Sequence, residues 1–231
     1  RGDDHILRKD NADYFIVNNV GDVYNYQSVN KGNTFYGYAA GDYSAAGGSN
    51  TFMGYNVANN LTSGTTNVGV GRDVFINTLT GSSNTAIGTN AAQHITSGNN
   101  NVAVGFSSLQ ALTEGTENTA VGWKSLNAAT TSSGNTAVGL NSLTSTTVGD
   151  LNVAVGTNAL RYNVNGDRAV AIGYNALQAQ APTSANTDTY NVAIGLNSQF
   201  SVTTGTFNTT VGGYTMANGT DSSYNVAVGY G

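Results

Sequence analysis

The most regular feature of this chain is a five-residue segment in which two apolar or β-branched positions flank a small one and glycine follows. It reads Asn, Thr or Val, Ala, Val or Ile, and Gly, and it returns every 17 residues with one longer step of 22. Its first residue, position 0, falls at Asn33, Asn50, Asn67, Asn84, Asn101, Asn118, Asn135, Asn152, Ala169, Asn191, Asn208 and Asn225. A fixed period of this length indicates a repeat protein whose units stack on one another.

The alternation within each copy predicts a short β-strand. Residues at +1 and +3 point to one side of an extended chain, and the residue at +2 points to the other side. A 17-residue unit has room for two short strands and two corners, so we predict an all-β parallel β-solenoid, or β-roll, of twelve such coils. We expect the +3 side chains to form its dry interior: Val70, Ile87, Val104, Val121, Val138, Val155, Ile172 and Ile194.

Asparagine at position 0 has two candidate roles. It tolerates the left-handed backbone of a tight corner, and stacked Asn side chains can also hydrogen-bond along the axis as a ladder. The pattern leaves both roles open for Asn84, Asn101, Asn118, Asn135 and Asn152. Glycine at +4 in every copy suits a corner, and leucine at +8 in five copies forms a second apolar cluster.

The repeat also defines the domain organisation. We assign residues 33–231 to the solenoid, with an insertion at about 178–188 that explains the longer step, and we expect the natural protein to continue beyond Gly231. Residues 1–32 lie outside the period and read as two strands around a turn at Asn18–Asp22. These strands would cap the open first coil.

Composition favours self-association. Leu, Ile, Val and Phe together make up 48 of the 231 residues, which is a poor supply for one globular core. Small side chains at +2, usually Ala, would let three backbones approach a common axis. We therefore predict a parallel homotrimer.

Charge and residue chemistry argue against several functions. The formal net charge is −5, and the eight Lys and Arg are scattered, so no basic stripe is available for nucleic acid. No apolar run is long enough for membrane insertion. With no Cys, two His and two Glu, the chain cannot assemble a catalytic triad or metal cluster from motif spacing. We expect no enzyme activity, no cofactor and no metal.

The repeats resemble those of known fibrous proteins. The copy Asn135-Thr-Ala-Val-Gly-Leu-Asn-Ser-Leu143 resembles the Asn-Thr-Ala-Val-Gly-Tyr-x-Ala-Leu repeats of large phage tail fibre proteins and related bacterial surface proteins, over about residues 33–231. Asn191-Val-Ala-Ile-Gly195 is similar to the Ser-Val-Ala-Ile-Gly core of the head repeats of trimeric autotransporter adhesins. The resemblance implies a left-handed parallel β-roll, trimerisation and a role in attachment. It also implies a location in a virion tail or on an extracellular cell surface.

Aromatic side chains at +5 vary between coils while the strand does not, which is typical of an outward row. They could contact a host cell-surface glycan or protein receptor, or fill an interface between subunits. The insertion should bulge from the rod and carry individual specificity. The candidate receptor contacts are Tyr38, Tyr55, Phe106, Trp123, Tyr174 and, in the insertion, Pro182.

We predict a structural and adhesive shaft of a trimeric fibre, as in a phage tail fibre, and two alternatives stay open. One is a bacterial surface adhesin of the trimeric autotransporter type. The other is a tailspike depolymerase using Asp150 and Asp167, which should stack about 5 Å apart, a separation typical of retaining glycosidases. The pair could also seat calcium or be two exposed acids. An ice-binding solenoid is disfavoured because Thr at +1 is expected to face inward.

Overall fold

A computed structural model describes residues 8–9, 12–17, 23–26, 32–42 and 45–231, and this part of the chain is all β without a helix. Three strands precede the repeats, namely β1 Arg8–Lys9, β2 Ala12–Val17 and β3 Val23–Tyr26, and they form an antiparallel sheet of order β1-β2-β3. β3 lies beside the first repeat strand. The predicted turn at Asn18–Asp22 lies outside the described residues.

Each copy of the repeat contributes one strand, which begins at +1. Two further short strands in the return segments, β12 Gly166–Asp167 and β14 Thr187–Asp188, form a separate parallel pair. The repeat strands are β4 Thr34–Tyr36, β5 Thr51–Tyr55, β6 Val68–Arg72, β7 Thr85–Ile87, β8 Val102–Val104, β9 Thr119–Val121, β10 Thr136–Val138, β11 Val153–Val155, β13 Val170–Ile172, β15 Val192–Ile194, β16 Thr209–Val211 and β17 Val226–Val228.

The twelve repeat strands form one parallel sheet in chain order. Each residue pairs with the residue at the same position of the next coil, so that Ala120 pairs with Ala137 and Val121 with Val138. The chain therefore winds as the predicted parallel β-solenoid, with about eleven full coils because the last copy contributes little beyond its strand. At about 4.8 Å per strand, the sheet is about 50 Å long.

The structure reverses the predicted facing of the strands. Ala120 and Ala137 at +2 are 0% exposed, whereas Ile87 at +3 is 42% exposed. The interior is narrow, and leucines of the return segment fill it from the opposite side, so that a methyl group fits beneath the strand. The +3 residues expected in the core are therefore half-buried or exposed on the outside of the chain: Val70, Ile87, Val104, Val121, Val138, Val155, Ile172 and Ile194. The small +2 residues likewise line the coil interior and not an axis between chains.

The return segment supplies the rest of the core largely without a second strand. Leucine at +8 is buried in Leu109, Leu126, Leu143, Leu160 and Leu177. Three return positions, −1, +6 and +8, have left-handed φ angles, for example 60° at Glu117, 53° at Lys124 and 48° at Leu126. Such angles cost about 1–2 kcal/mol each in non-glycine residues. They bend the chain into tight corners, which is why the predicted second strand of each coil does not form.

Glycine at +4 is required for two reasons, its backbone conformation and its contact with the next coil. Gly122 has a φ of 136°, a conformation that L side chains rarely adopt. A Cβ atom added there would lie 2.4 Å from the carbonyl oxygen of Gly139 in the next coil. The coils can therefore stack at β-sheet spacing only if this column has no side chains.

The asparagines at position 0 form a buried ladder along the rod. Asn118 donates its side-chain amide to Oδ1 of Asn101 at 3.0 Å and to the carbonyl oxygen of Ser132 at 2.8 Å. Its own Oδ1 accepts the backbone N–H of Asn135 at 3.1 Å. None of the position-0 asparagines has a left-handed φ, since the corner residue is at −1. Of the two candidate roles, the structure therefore has the ladder.

Candidate functional site

The outward +1 and +3 side chains form one continuous surface along the sheet, which we call the outer face. Every +1 residue is Thr or Val and every +3 residue is Val, Ile, Met or Tyr, so no charge interrupts the outer face over twelve strands. Met53 is 45% exposed and Val211 is 40% exposed. Exposed apolar surfaces of this extent mark interaction sites on proteins. Thr at +1 lies on this face, so the expectation that it points inward is wrong.

Two columns of residues border the outer face. The −1 margin precedes each strand and comprises Gly32, Ser49, Thr66, Ser83, Asn100, Glu117, Gly134, Leu151, Arg168, Tyr190, Phe207 and Tyr224. The +5 margin follows each strand and comprises Tyr38, Tyr55, Arg72, Thr89, Phe106, Trp123, Leu140, Thr157, Tyr174, Leu196, Gly213 and Tyr230. The charged residues of the two margins are Arg72, Glu117 and Arg168.

The predicted aromatic row at +5 is exposed, as expected for an outward row, in Tyr38, Tyr55, Phe106, Trp123 and Tyr174. Four of these rings stack in two pairs along the axis, Tyr38 with Tyr55 and Phe106 with Trp123. Tyr38 lies 5.3 Å from Tyr55, and the Arg72 guanidinium continues that stack at 5.6 Å from the Tyr55 ring. Rings stacked in this way present their edges to solvent and cover much of the ring faces that a sugar would use.

A second aromatic row lies at the −1 margin, and the sequence reasoning missed it. Tyr190 stacks on Phe207 at 5.2 Å, and Phe207 stacks on Tyr224 at 4.9 Å. The Arg168 guanidinium lies 5.9 Å from the Tyr190 ring centroid and extends the stack by one coil. These residues recur at position −1 with the same period as the residues at +5, so the 17-residue spacing was the signal that could have identified them.

The insertion is partly inside the rod, which corrects the predicted bulge. Pro182 is buried and cannot be a receptor contact as the chain stands, whereas residues 183–186 are exposed. Gln180 is fully buried, and its Oε1 accepts the side-chain amide of Asn191 at 2.9 Å. Because position 0 of this coil is Ala169, Gln180 supplies the amide that the ladder lacks there.

Asp150 and Asp167 occupy the same position of consecutive coils, as predicted, and their carboxylates accept hydrogen bonds from backbone N–H groups. Asp167 Oδ1 accepts the Asp150 N–H at 2.8 Å, and Asp150 Oδ1 accepts the Ser133 N–H at 2.6 Å. Asp167 is 5% exposed, and burial raises the pKa of its carboxyl. The Asp150 N–H lowers that pKa, the Asp150 charge raises it, and Arg168 lowers it. Asp167 is therefore not a freely exposed acid.

The chain was compared with protein-family models, curated proteins and solved structures, and nothing matches at a significant level. Repeated coils of about 17 residues in a β-solenoid are nevertheless consistent with a β-roll. Within the described ranges, no three His, Asp or Glu side chains cluster in a way that could hold a metal ion. The same part of the chain has no helix long and apolar enough to cross a bilayer.

Proposed function

We propose that this chain forms the shaft of a homotrimeric fibre that attaches to a cell surface, as a phage tail fibre does. The observation that carries the proposal is the uncharged outer face, which runs along all twelve repeat strands. From the −1 margin to the +5 margin it spans about 20 Å, so its area is about 1,000 Å². A standard protein interface buries about 800 Å² on each partner.

The partner that fits this face best is a second copy of the chain. The side chains of the outer face recur at the spacing of β-strands in a parallel sheet, about 4.8 Å. A surface that packs into them along the whole rod must have the same spacing and the same length. A parallel copy of this solenoid meets both conditions, and no segment of opposite charge is required because the outer face has none.

The distribution of side-chain sizes supports three copies over two. The middle of the outer face has small β-branched residues, and its margins include rings such as Trp123 and Phe207. Two face-to-face sheets pack about 10 Å apart, a spacing at which bulky margins would hold the small middles apart. Three faces around an axis meet at an angle along their margins, which leaves room there for the rings.

Attachment would then depend on surfaces outside the trimer axis. The exposed segment 183–186 of the insertion departs from the repeat and faces solvent. We propose it as the contact with a cell-surface glycan or protein. No reaction is needed for this role, since multivalent contact through three identical copies raises the apparent affinity.

A matched pair of lysine substitutions tests the oligomer. Val121→Lys places a charge on the outer face, whereas Thr131→Lys places one on the exposed return segment of the same coil. An unpaired charge buried in an interface costs several kcal/mol. In sedimentation velocity we expect Val121→Lys to be dissociated and Thr131→Lys to behave as the parent. Equal behaviour of the two variants would remove the outer face from the interface.

The enzyme alternative is tested on whole cells. A labelled preparation of the parent chain is incubated with candidate host bacteria, and bound protein and released reducing sugar ends are measured together. Binding without sugar release is the expected result for a shaft. Sugar release that disappears in Asp150→Asn would replace this proposal with the tailspike depolymerase.

A further inference from the structure

The two margins of the outer face vary in size in opposite directions along the rod. In the first coils the −1 margin has small residues where the +5 margin has large ones, as with Ser49 and Tyr55. In coils 8 and 11 the relation reverses, as with Leu151 at −1 and Thr157 at +5. Coils 4, 9, 10 and 12 depart from this rule, because both of their margin residues are small or both are large.

The eleventh coil is the sharpest case. Its −1 residue is Phe207, 43% exposed, and its +5 residue is Gly213. Gly213 does not have a left-handed φ, and an added Cβ would be 3.4 Å from the Tyr230 ring, an ordinary contact. Its own chain therefore gives no reason for a glycine at this position, in contrast to the glycines at +4.

Contacts within one chain do not explain the relation between the margins. Phe207 and Gly213 are six residues apart and lie on either side of strand β16, Thr209–Val211. An extended segment of that length spans about 20 Å. The two margins of one coil thus do not touch, and a size relation between them needs a second molecule that brings them together.

We infer that the −1 margin of one copy packs against the +5 margin of the next copy at the same coil level, with Phe207 over Gly213. This inference rests on the proposed oligomer and specifies its interface. Copies arranged around an axis parallel to the rod bring unlike margins together, whereas antiparallel copies would set coil 11 against the opposite end. A slip by one coil would move the Phe207 ring from Gly213 to Leu196 or Tyr230, which have larger side chains. The Phe207 and Gly213 pair therefore favours contact at the same coil level, and the +5 aromatics are packing residues and not receptor contacts.

Cysteine pairs test the contact in a chain that has no native cysteine. The double variant Phe207→Cys/Gly213→Cys and the two single variants are treated with a short bis-maleimide and run on denaturing gels. We expect covalent trimers from the double variant and monomers from each single variant. A homotypic dimer from either single variant would overturn the pairing of unlike margins.

Light scattering on the same samples separates this inference from the fibre proposal. A trimer that fails to cross-link between residues 207 and 213 overturns the margin contact alone. A protein that is monomeric before treatment overturns the proposed oligomer and the margin contact with it.

A volume swap provides a second readout. Gly213→Phe should raise the dissociation concentration of the trimer by at least about tenfold. The reason is that the same overpacked contact occurs at all three interfaces. The swap Phe207→Gly/Gly213→Phe should recover most of that loss, since a glycine at −1 and a larger residue at +5 already occur together in Gly134 and Leu140. A swap no better than Gly213→Phe alone would overturn the contact.

Discussion

Replacing Asn118 by alanine removes one rung of the buried amide ladder and leaves the backbone in place. The side chain is 0% exposed, and it donates to the carbonyl oxygen of Ser132 at 2.8 Å. It also accepts the backbone N–H of Asn135 at 3.1 Å. The variant therefore deprives a buried acceptor and a buried donor of partners that water cannot replace.

The expected cost follows from these two groups. Leaving a buried polar group without a partner costs about 1–3 kcal/mol, so Asn118→Ala should lower the free energy of unfolding by about 2–6 kcal/mol. Asn127→Ala in the same coil is the matched control. Asn127 also makes two side-chain hydrogen bonds, but it is half-buried and water can replace them. Its cost should be below about 1 kcal/mol.

Denaturant unfolding followed by circular dichroism measures both variants at one protein concentration. The reasoning predicts a clearly lower midpoint for Asn118→Ala and a midpoint near the parent for Asn127→Ala. If the two variants lose the same stability, the buried ladder is no more important than a surface hydrogen bond. Our interpretation of position 0 would then be refuted.

Three further predictions concern single positions. Gly122→Ala should prevent stacking of its coil, because its Cβ would lie 2.4 Å from a backbone carbonyl oxygen, whereas Gly213→Ala should leave the fold of the single chain intact, because its Cβ would be 3.4 Å from the Tyr230 ring. Gln180→Ala should cost about 1–3 kcal/mol, because Asn191 loses its amide partner. Asp167→Asn should be more stable than the parent at pH 7, because folding raises the pKa of this carboxyl from 3.8 and the ionised form is penalised. That advantage should decrease as the pH falls and vanish well below pH 3.8, where the carboxyl is protonated in both the folded and the unfolded chain.

Each of these predictions has a clear contrary result. Soluble Gly122→Ala with the parent's melting temperature would show that the coils can separate without penalty. A Gln180→Ala chain as stable as the parent would mean that the ladder tolerates a gap at Ala169. If the parent chain gained stability relative to Asp167→Asn as the pH rises from 4 to 7, the predicted direction of the pH dependence of stability would be wrong.

Much of the fold was predictable because it depends on the period. Stacked coils place equal positions above one another, so the step from Asn118 to Asn135 already specifies the register that the strands adopt. Burial of leucine at +8 followed from its apolar character. These features rest on spacing and hydrophobicity, which a sequence displays directly.

The facing of the strands was not predictable by the same reasoning. Alternation shows only that +2 opposes +1 and +3, and the rule that large apolar side chains are buried selected Val121 over Ala120. The rule fails here because the outside of the strand is also apolar. Each repeat strand of this solenoid has two apolar sides. Alanine occupies the inner side, because the interior of the coil is narrow.

The left-handed leucines and the role of Gln180 were also beyond sequence reasoning. Leucine rarely adopts a φ of 48°, as Leu126 does, and it does so here because the corner directs its side chain into the core. The missing asparagine at Ala169 is visible in the sequence. Its replacement by a residue 11 positions later depends on how the insertion folds back, which no local pattern indicates.

The measurement that tests the central proposal most directly is the molecular mass of the parent chain in solution. Light scattering coupled to size exclusion at micromolar concentration should give three times the chain mass of 23.7 kDa. The outer face would then be covered by two further copies. A folded, β-rich protein with the mass of a single chain would contradict the proposal, because the outer face would be exposed to water along its whole length.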